Sequence, residues 1–144
     1  MRRFWRGVLP ALIVSVGVLT GPVAQAEVTV DLVYRVTLQT PGAPQQAEIS
    51  YRVGDNPNGG DLWATDVVTV TPFVPWEHAV TIHTRWASAY PMVSVFSDPG
   101  GQCCGEILRD ANVVGSGSGF VLPPWAPTDA PPGTPVMLAR ATVS

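Results

Sequence analysis

Apolar and polar residues alternate along most of this chain with a period of two. From Val28 the even positions Val28, Val30, Leu32, Tyr34, Val36 and Leu38 are apolar. The odd positions Thr29, Asp31, Arg35, Thr37 and Gln39 are polar, with Val33 the exception. Successive side chains of a strand point to opposite faces, so this stretch reads as a strand with one buried and one wetted face. Pro41-Gly42-Ala43-Pro44 ends it. A second strand follows, with Ala47, Ile49, Tyr51 and Val53 inward and Glu48, Ser50 and Arg52 outward. Asp55-Asn56-Pro57-Asn58-Gly59-Gly60 has the chemistry of a loop.

The same pattern predicts a third strand within residues 64–71, with Val68 and Val70 on one face and Pro72 and Pro75 at its exit. A fourth is expected over 79–86, with Val80, Ile82 and Trp86 on one side. A fifth spans 92–96, and Asp98-Pro99-Gly100-Gly101 turns the chain. A sixth, less regular strand lies within 106–114. Gly115-Ser116-Gly117-Ser118-Gly119 has the composition of a flexible link. Six prolines between Phe120 and Pro135 exclude an interior strand there. A last strand is expected over 136–143. Short strands, frequent turns and no helical stripe predict an all-β fold, an antiparallel immunoglobulin-like β-sandwich of about seven strands.

The first 26 residues depart from this period. Arg2, Arg3 and Arg6 precede an apolar run from Val8 to Leu19. Gly21-Pro22 breaks the run, and Ala24-Gln25-Ala26 stands before Glu27. A basic stretch, an apolar stretch and a small-x-small site form an export signal, with cleavage after Ala26. The run is shorter than the roughly 20 apolar residues of a spanning helix, so cleavage is the first reading and a retained membrane anchor the second. The expected organisation is a signal at 1–26 and a β domain at 27–144, with a Gly/Ser- and Pro-rich insertion at 115–135. The domain then works in the cell envelope, on the periplasmic side of the inner membrane, or as a secreted protein.

Charge narrows the partners. Beyond residue 26 there are five arginines, no lysine and eleven carboxylates, a formal charge of −6. No basic patch is available for nucleic acid, and no polybasic segment for anionic lipid. Candidate chemistry is sparse. His78 and His83 would lie on opposite strand faces, which argues against a shared metal. Glu77 and His78 are adjacent and point apart, so a solvated turn is the simpler reading. Ser116 and Ser118 sit in the Gly-Ser stretch, a poor place for a rigid nucleophile. Asp61, Asp66, Asp98 and Asp110 read as turn residues or solvated strand ends. No cofactor or metal is expected, and no enzyme, with a small secreted hydrolase the minor alternative.

Cys103 and Cys104 are adjacent and are the only cysteines. They cannot staple distant segments of one chain. They are free thiols, a vicinal disulfide, or bridges to another chain. Trp86 is expected inward, and Trp76 as a plug at the sandwich edge. Trp63 and Trp125 are the candidate partner-contact aromatics. Trp125 lies in Pro123-Pro124-Trp125-Ala126-Pro127, a stiff extended segment.

Several short motifs occur in a recognisable order. They are Val33-Tyr34-Arg35-Val36, Ala47-Glu48-Ile49-Ser50-Tyr51 and Val74-Pro75-Trp76-Glu77-His78-Ala79-Val80, then a cysteine ahead of Ile107 and Asp110. This order resembles the MmpS family of small mycobacterial membrane proteins over about residues 33–114. The resemblance implies an extracytoplasmic β-sandwich behind an N-terminal membrane segment. It also implies a non-enzymatic accessory role beside a large multi-pass envelope transporter that exports lipids or siderophores. The chain departs from the family in lacking a second cysteine in its final strand. Asp110-Ala111-Asn112 stands where the family has an Asp-Gly turn. A freely secreted module that binds a hydrophobic ligand or a protein partner is the alternative function.

Overall fold

The structure is a computed structural model that describes residues 27–123 and 134–144. The expected signal, its cleavage after Ala26 and Trp125 lie outside the described residues. Eight strands follow in chain order: β1 (Val28–Leu38), β2 (Gln45–Asp55), β3 (Asp61–Val70), β4 (Trp76–Thr84), β5 (Met92–Ser97), β6 (Gly101–Arg109), β7 (Asn112–Val121) and β8 (Val136–Arg140). The described residues are all-β. Among them no helix is long and apolar enough to cross a membrane.

The inward rows are those the alternation predicts. Val30, Leu32, Tyr34, Val36 and Leu38 of β1 are buried, as are Ala47, Ile49 and Tyr51 of β2. They join Ile82, Val93, Val95, Ile107, Val121 and Leu138 in one core. Burial of these side chains is the main favourable term, about 1.5–3 kcal/mol for each large aliphatic or aromatic residue.

The strands form one mixed sheet in the order β7-β6-β1-β4-β2-β5-β8, with β3 paired to β2 off this path. All ladders are antiparallel except one parallel contact, Gly54 with His83, where β2 meets β4. At the far ends of the order, β7 lies against β8, so the sheet is nearly barrel-shaped. The count of about seven strands becomes eight because the stretch from 101 to 121 is a long hairpin. Asp110 and Ala111 form its tip, both at positive φ (50° and 64°). Two such residues make the type I′ turn that suits the twist of a hairpin. Ala at that position carries none of the usual Asn-Gly signal, so the hairpin was not legible as one.

The Gly-Ser stretch is not a flexible link. Residues 115–119 lie inside β7, paired with β6 from Cys103 to Ile107. Gly115, Gly117 and Gly119 recur on one face, and that face meets β8. A Cβ on Gly117 would overlap the Leu138 carbonyl oxygen, and one on Gly115 would lie 2.5 Å from the Arg140 carbonyl oxygen. Glycine is needed here because two backbones approach too closely for a side chain. β7 therefore closes the barrel-like sheet by packing. The expected insertion at 115–135 begins as a strand; residues 124–133 lie outside the described residues.

Candidate functional site

Two polar constellations and one apolar end stand out. The first joins β2, β3 and β4. β4 begins at Trp76 and includes His78 as a strand residue, correcting the expected solvated turn. Its inward row is Trp76, His78, Val80 and Ile82, an extension of the predicted face. Asp66 lies in mid-strand on β3, opposite Ile49, and is neither a turn residue nor a strand end. The Tyr51 hydroxyl donates to Asp66 Oδ2 at 3.1 Å and lies 3.2 Å from His78 Nε2. His78 Nδ1 is 3.4 Å from the same Asp66 oxygen. Trp76 stacks on His78 at 5.7 Å, and Tyr51 packs on both rings.

Burial, and then the hydrogen bond to Asp66, push the Tyr51 phenol up to about 12. Tyr34, buried beside it, donates to the Arg52 carbonyl at 2.7 Å and is also raised by burial. Both phenols therefore stay protonated and act as donors rather than bases. The cluster ties three strands together through groups that sequence spacing does not bring near one another.

The second constellation surrounds Arg52. Alternation places this side chain outward, yet it is only 4 % exposed. A register shift between Arg52 and Gly54 redirects it under the 85–91 loop. Its guanidinium donates to the carbonyls of Gly54 and Tyr90 and forms ion pairs with Asp55 (2.6 Å) and Asp61 (2.9 Å). Burial alone would raise the Asp55 carboxyl. Hydrogen bonds from Thr84 and the Arg85 amide, with the charge of Arg52, outweigh it and hold Asp55 below its ordinary value. Asp61 is the exposed first residue of β3, as expected of a solvated strand end, and it also pairs with Arg52.

Trp86 corrects another expectation. β4 ends at Thr84, so Trp86 falls in the following turn, 47 % exposed, under the guanidinium of Arg85 at 5.4 Å. With Tyr90 and Met92 it borders an open hollow of about 610 Å³ over Arg52 and Asp61. Trp76, the first residue of β4, is half-buried, packed against the core and part of the cluster described above. Trp63 is 39 % exposed on β3, opposite Arg52. His83 lies on the outward face of β4 and bonds Thr29 at 3.1 Å. Asp98 and Asp110 are exposed turn residues. Among the described residues no group of three or more His, Cys, Asp or Glu side chains is placed to hold a metal ion.

Cys103 and Cys104 are both free thiols on β6. Consecutive strand residues face opposite ways, so Cys103 is buried in the core and Cys104 is half-exposed. Burial pushes the Cys103 thiol up to about 11. A maleimide at neutral pH is therefore expected to label one thiol per native chain, at Cys104, and two after unfolding. Labelling of both at equal rates in the native state would contradict this placement.

The third feature is the end of the sheet away from the start of β1. Among its described loops are 39–44, 71–75, 98–100 and 122–123. They expose Phe73 (61 %), Val74 and Leu122, and Phe120 (57 %) stands just before the last of them. Pro41, Ala43, Pro44, Pro99 and Pro123 border a hollow of about 870 Å³ beside Phe120 and Leu122. Asp98 is the one ionisable residue in these described loops. Phe73 has φ +63°, which an aromatic residue rarely adopts. Its amide donates to the Leu38 carbonyl at 2.8 Å, which anchors the turn and leaves the ring in solvent. The flanking prolines signal only the exit of the strand, and no local signal marks Phe73 as exposed. No family model matches the chain, and no curated protein or solved structure matches it.

Proposed function

We propose that this chain is a non-enzymatic extracytoplasmic interaction protein of MmpS-like type, which assists a large envelope transporter of lipids or siderophores. In this reading its fold is a divergent immunoglobulin-like sandwich. The chain is exported, and its first 26 residues either tether it to the membrane or are removed. The observation that carries the reading is the polarity of the two ends. β1 starts at the end bearing Arg52, Asp55, Asp61 and Arg85. Among the described residues the opposite end is almost free of charge, and it displays Phe73, Val74, Phe120 and Leu122. A domain attached through its N-terminus presents that far end outward. Exposed aromatic residues on a rigid, water-excluding surface are the usual anchors of protein interfaces.

The strained turn separates binding from folding. Phe73→Gly removes the exposed ring and also relieves the left-handed strain, which costs about 1–3 kcal/mol. The variant is expected to melt at or above the wild-type temperature, while cross-linking to a membrane-protein partner in intact envelopes falls about tenfold or more. Phe120→Ser should produce the same loss of cross-linking. Recovery of the chain only from culture medium, with a co-purified lipid and no membrane partner, would favour the freely secreted ligand-binding module. Undiminished cross-linking in both variants would remove the apolar end from the reading.

A further inference from the structure

We infer that β3 is a self-association edge, through which two copies of this chain pair antiparallel around a twofold axis at Thr65. Among the described residues β3 is laddered only to β2, along its whole length. Its other edge meets no described strand. An unpaired edge is a template for another strand, and proteins usually guard it with lysine, proline, bulges or brevity. β3 is ten residues long and contains no lysine, proline or glycine. Its one register shift lies near its start, between Arg52 and Gly54 of β2.

The side chains point to a second copy as the occupant. The outward row of β3 is Asp61, Trp63, Thr65, Val67 and Thr69, uncharged beyond its first residue, with Val67 64 % exposed. The two acids of the strand are already engaged. Asp61 pairs with Arg52 at 2.9 Å, and Asp66 receives the Tyr51 hydroxyl at 3.1 Å. A twofold axis at Thr65 sets Thr65 against Thr65 and, twice over, Trp63 against Val67. Threonine pairs and aromatic–β-branched pairs are favoured cross-strand neighbours. An axis at Asp66 would set two carboxylates against each other, and an axis at Ala64 would set Asp61 against Val67. Of these registers the axis at Thr65 avoids both mismatches and pairs nine residues of the strand, from Asp61 to Thr69, and the symmetric dimer it forms has an isologous, closed interface. This inference is independent of any transporter partner.

Sedimentation velocity of the purified full chain over a concentration series tests it. A monomer–dimer equilibrium is expected. Val67→Lys, at a solvent-facing position, should raise the dissociation constant at least tenfold with an unchanged melting temperature. The register is read in a Cys104→Ser background, which leaves only the buried Cys103. Thr65→Cys should then be joined between copies by a short bismaleimide, whereas Ser116→Cys on the exposed row of β7 should not. A chain that stays monomeric at every concentration would overturn the inference. So would a dimer that Val67→Lys does not weaken, or equal cross-linking at the two cysteine positions.

Discussion

Gly117→Val is expected to destabilise the fold by about 3 kcal/mol or more, read as a lowered midpoint in urea unfolding. The valine side chain would begin inside the Leu138 carbonyl oxygen. Backbone cannot swing aside as a flexible side chain can, so β7 and β8 must separate. That separation would open the contact that closes the sheet and expose Leu138, which is 3 % exposed in the native chain. Ser116 and Ser118 provide the control, since both are exposed and face the other way. Valine at either serine should change stability by no more than about 0.5 kcal/mol, since neither faces β8. Alternating sensitivity along five residues is what a strand produces. If residues 115–119 were a linker, all three substitutions would be equally silent.

The second large effect is expected at Arg52. Arg52→Ala leaves Asp55 in place, 12 % exposed, with its main cation gone. Removing one partner of a buried ion pair costs about 3–5 kcal/mol, because the remaining charge is stranded. The variant also loses the bonds to the Gly54 and Tyr90 carbonyls that hold the 85–91 loop. Arg52→Lys should recover only part of the loss, since an ammonium cannot reach those partners with a planar fork.

Acid modulates this difference. The folded-state value of Asp55 is lowered, so the unfolded chain takes up its proton first as pH falls. Its contribution is complete above the ordinary aspartate value of about 3.9. It is lost as pH drops through the lower folded-state value. The gap between wild type and Arg52→Ala should therefore be widest near neutrality and shrink below about pH 4. A gap that held constant into acid would mean that the Asp55 charge is not what Arg52 supports.

These two sites show why parts of the molecule were legible and others were not. Strand alternation is a local property, so the inward rows of β1 and β2 could be read directly. Arg52 broke that reading because a register shift overrides the period for one side chain. His78 was misplaced because β4 begins three residues earlier than its apolar period suggests. Trp86 was misplaced because β4 ends at Thr84. The Gly-Ser stretch failed for a different reason. Glycine is used both where a chain must be free and where two backbones must nearly touch, and composition cannot separate the uses.

The sequence by itself determined the all-β class and the buried faces of the early strands. Each follows from a side-chain period of two and needs no distant partner. Tertiary structure alone decided that β7 closes on β8, that Tyr51, Asp66 and His78 meet, and that Arg52 is buried between Asp55 and Asp61. It also decided that Phe73 and Phe120 share the charge-poor end while Trp86 stands near the other. Each of these depends on which strand lies beside which, a matter of long-range packing that the period of a single strand does not encode.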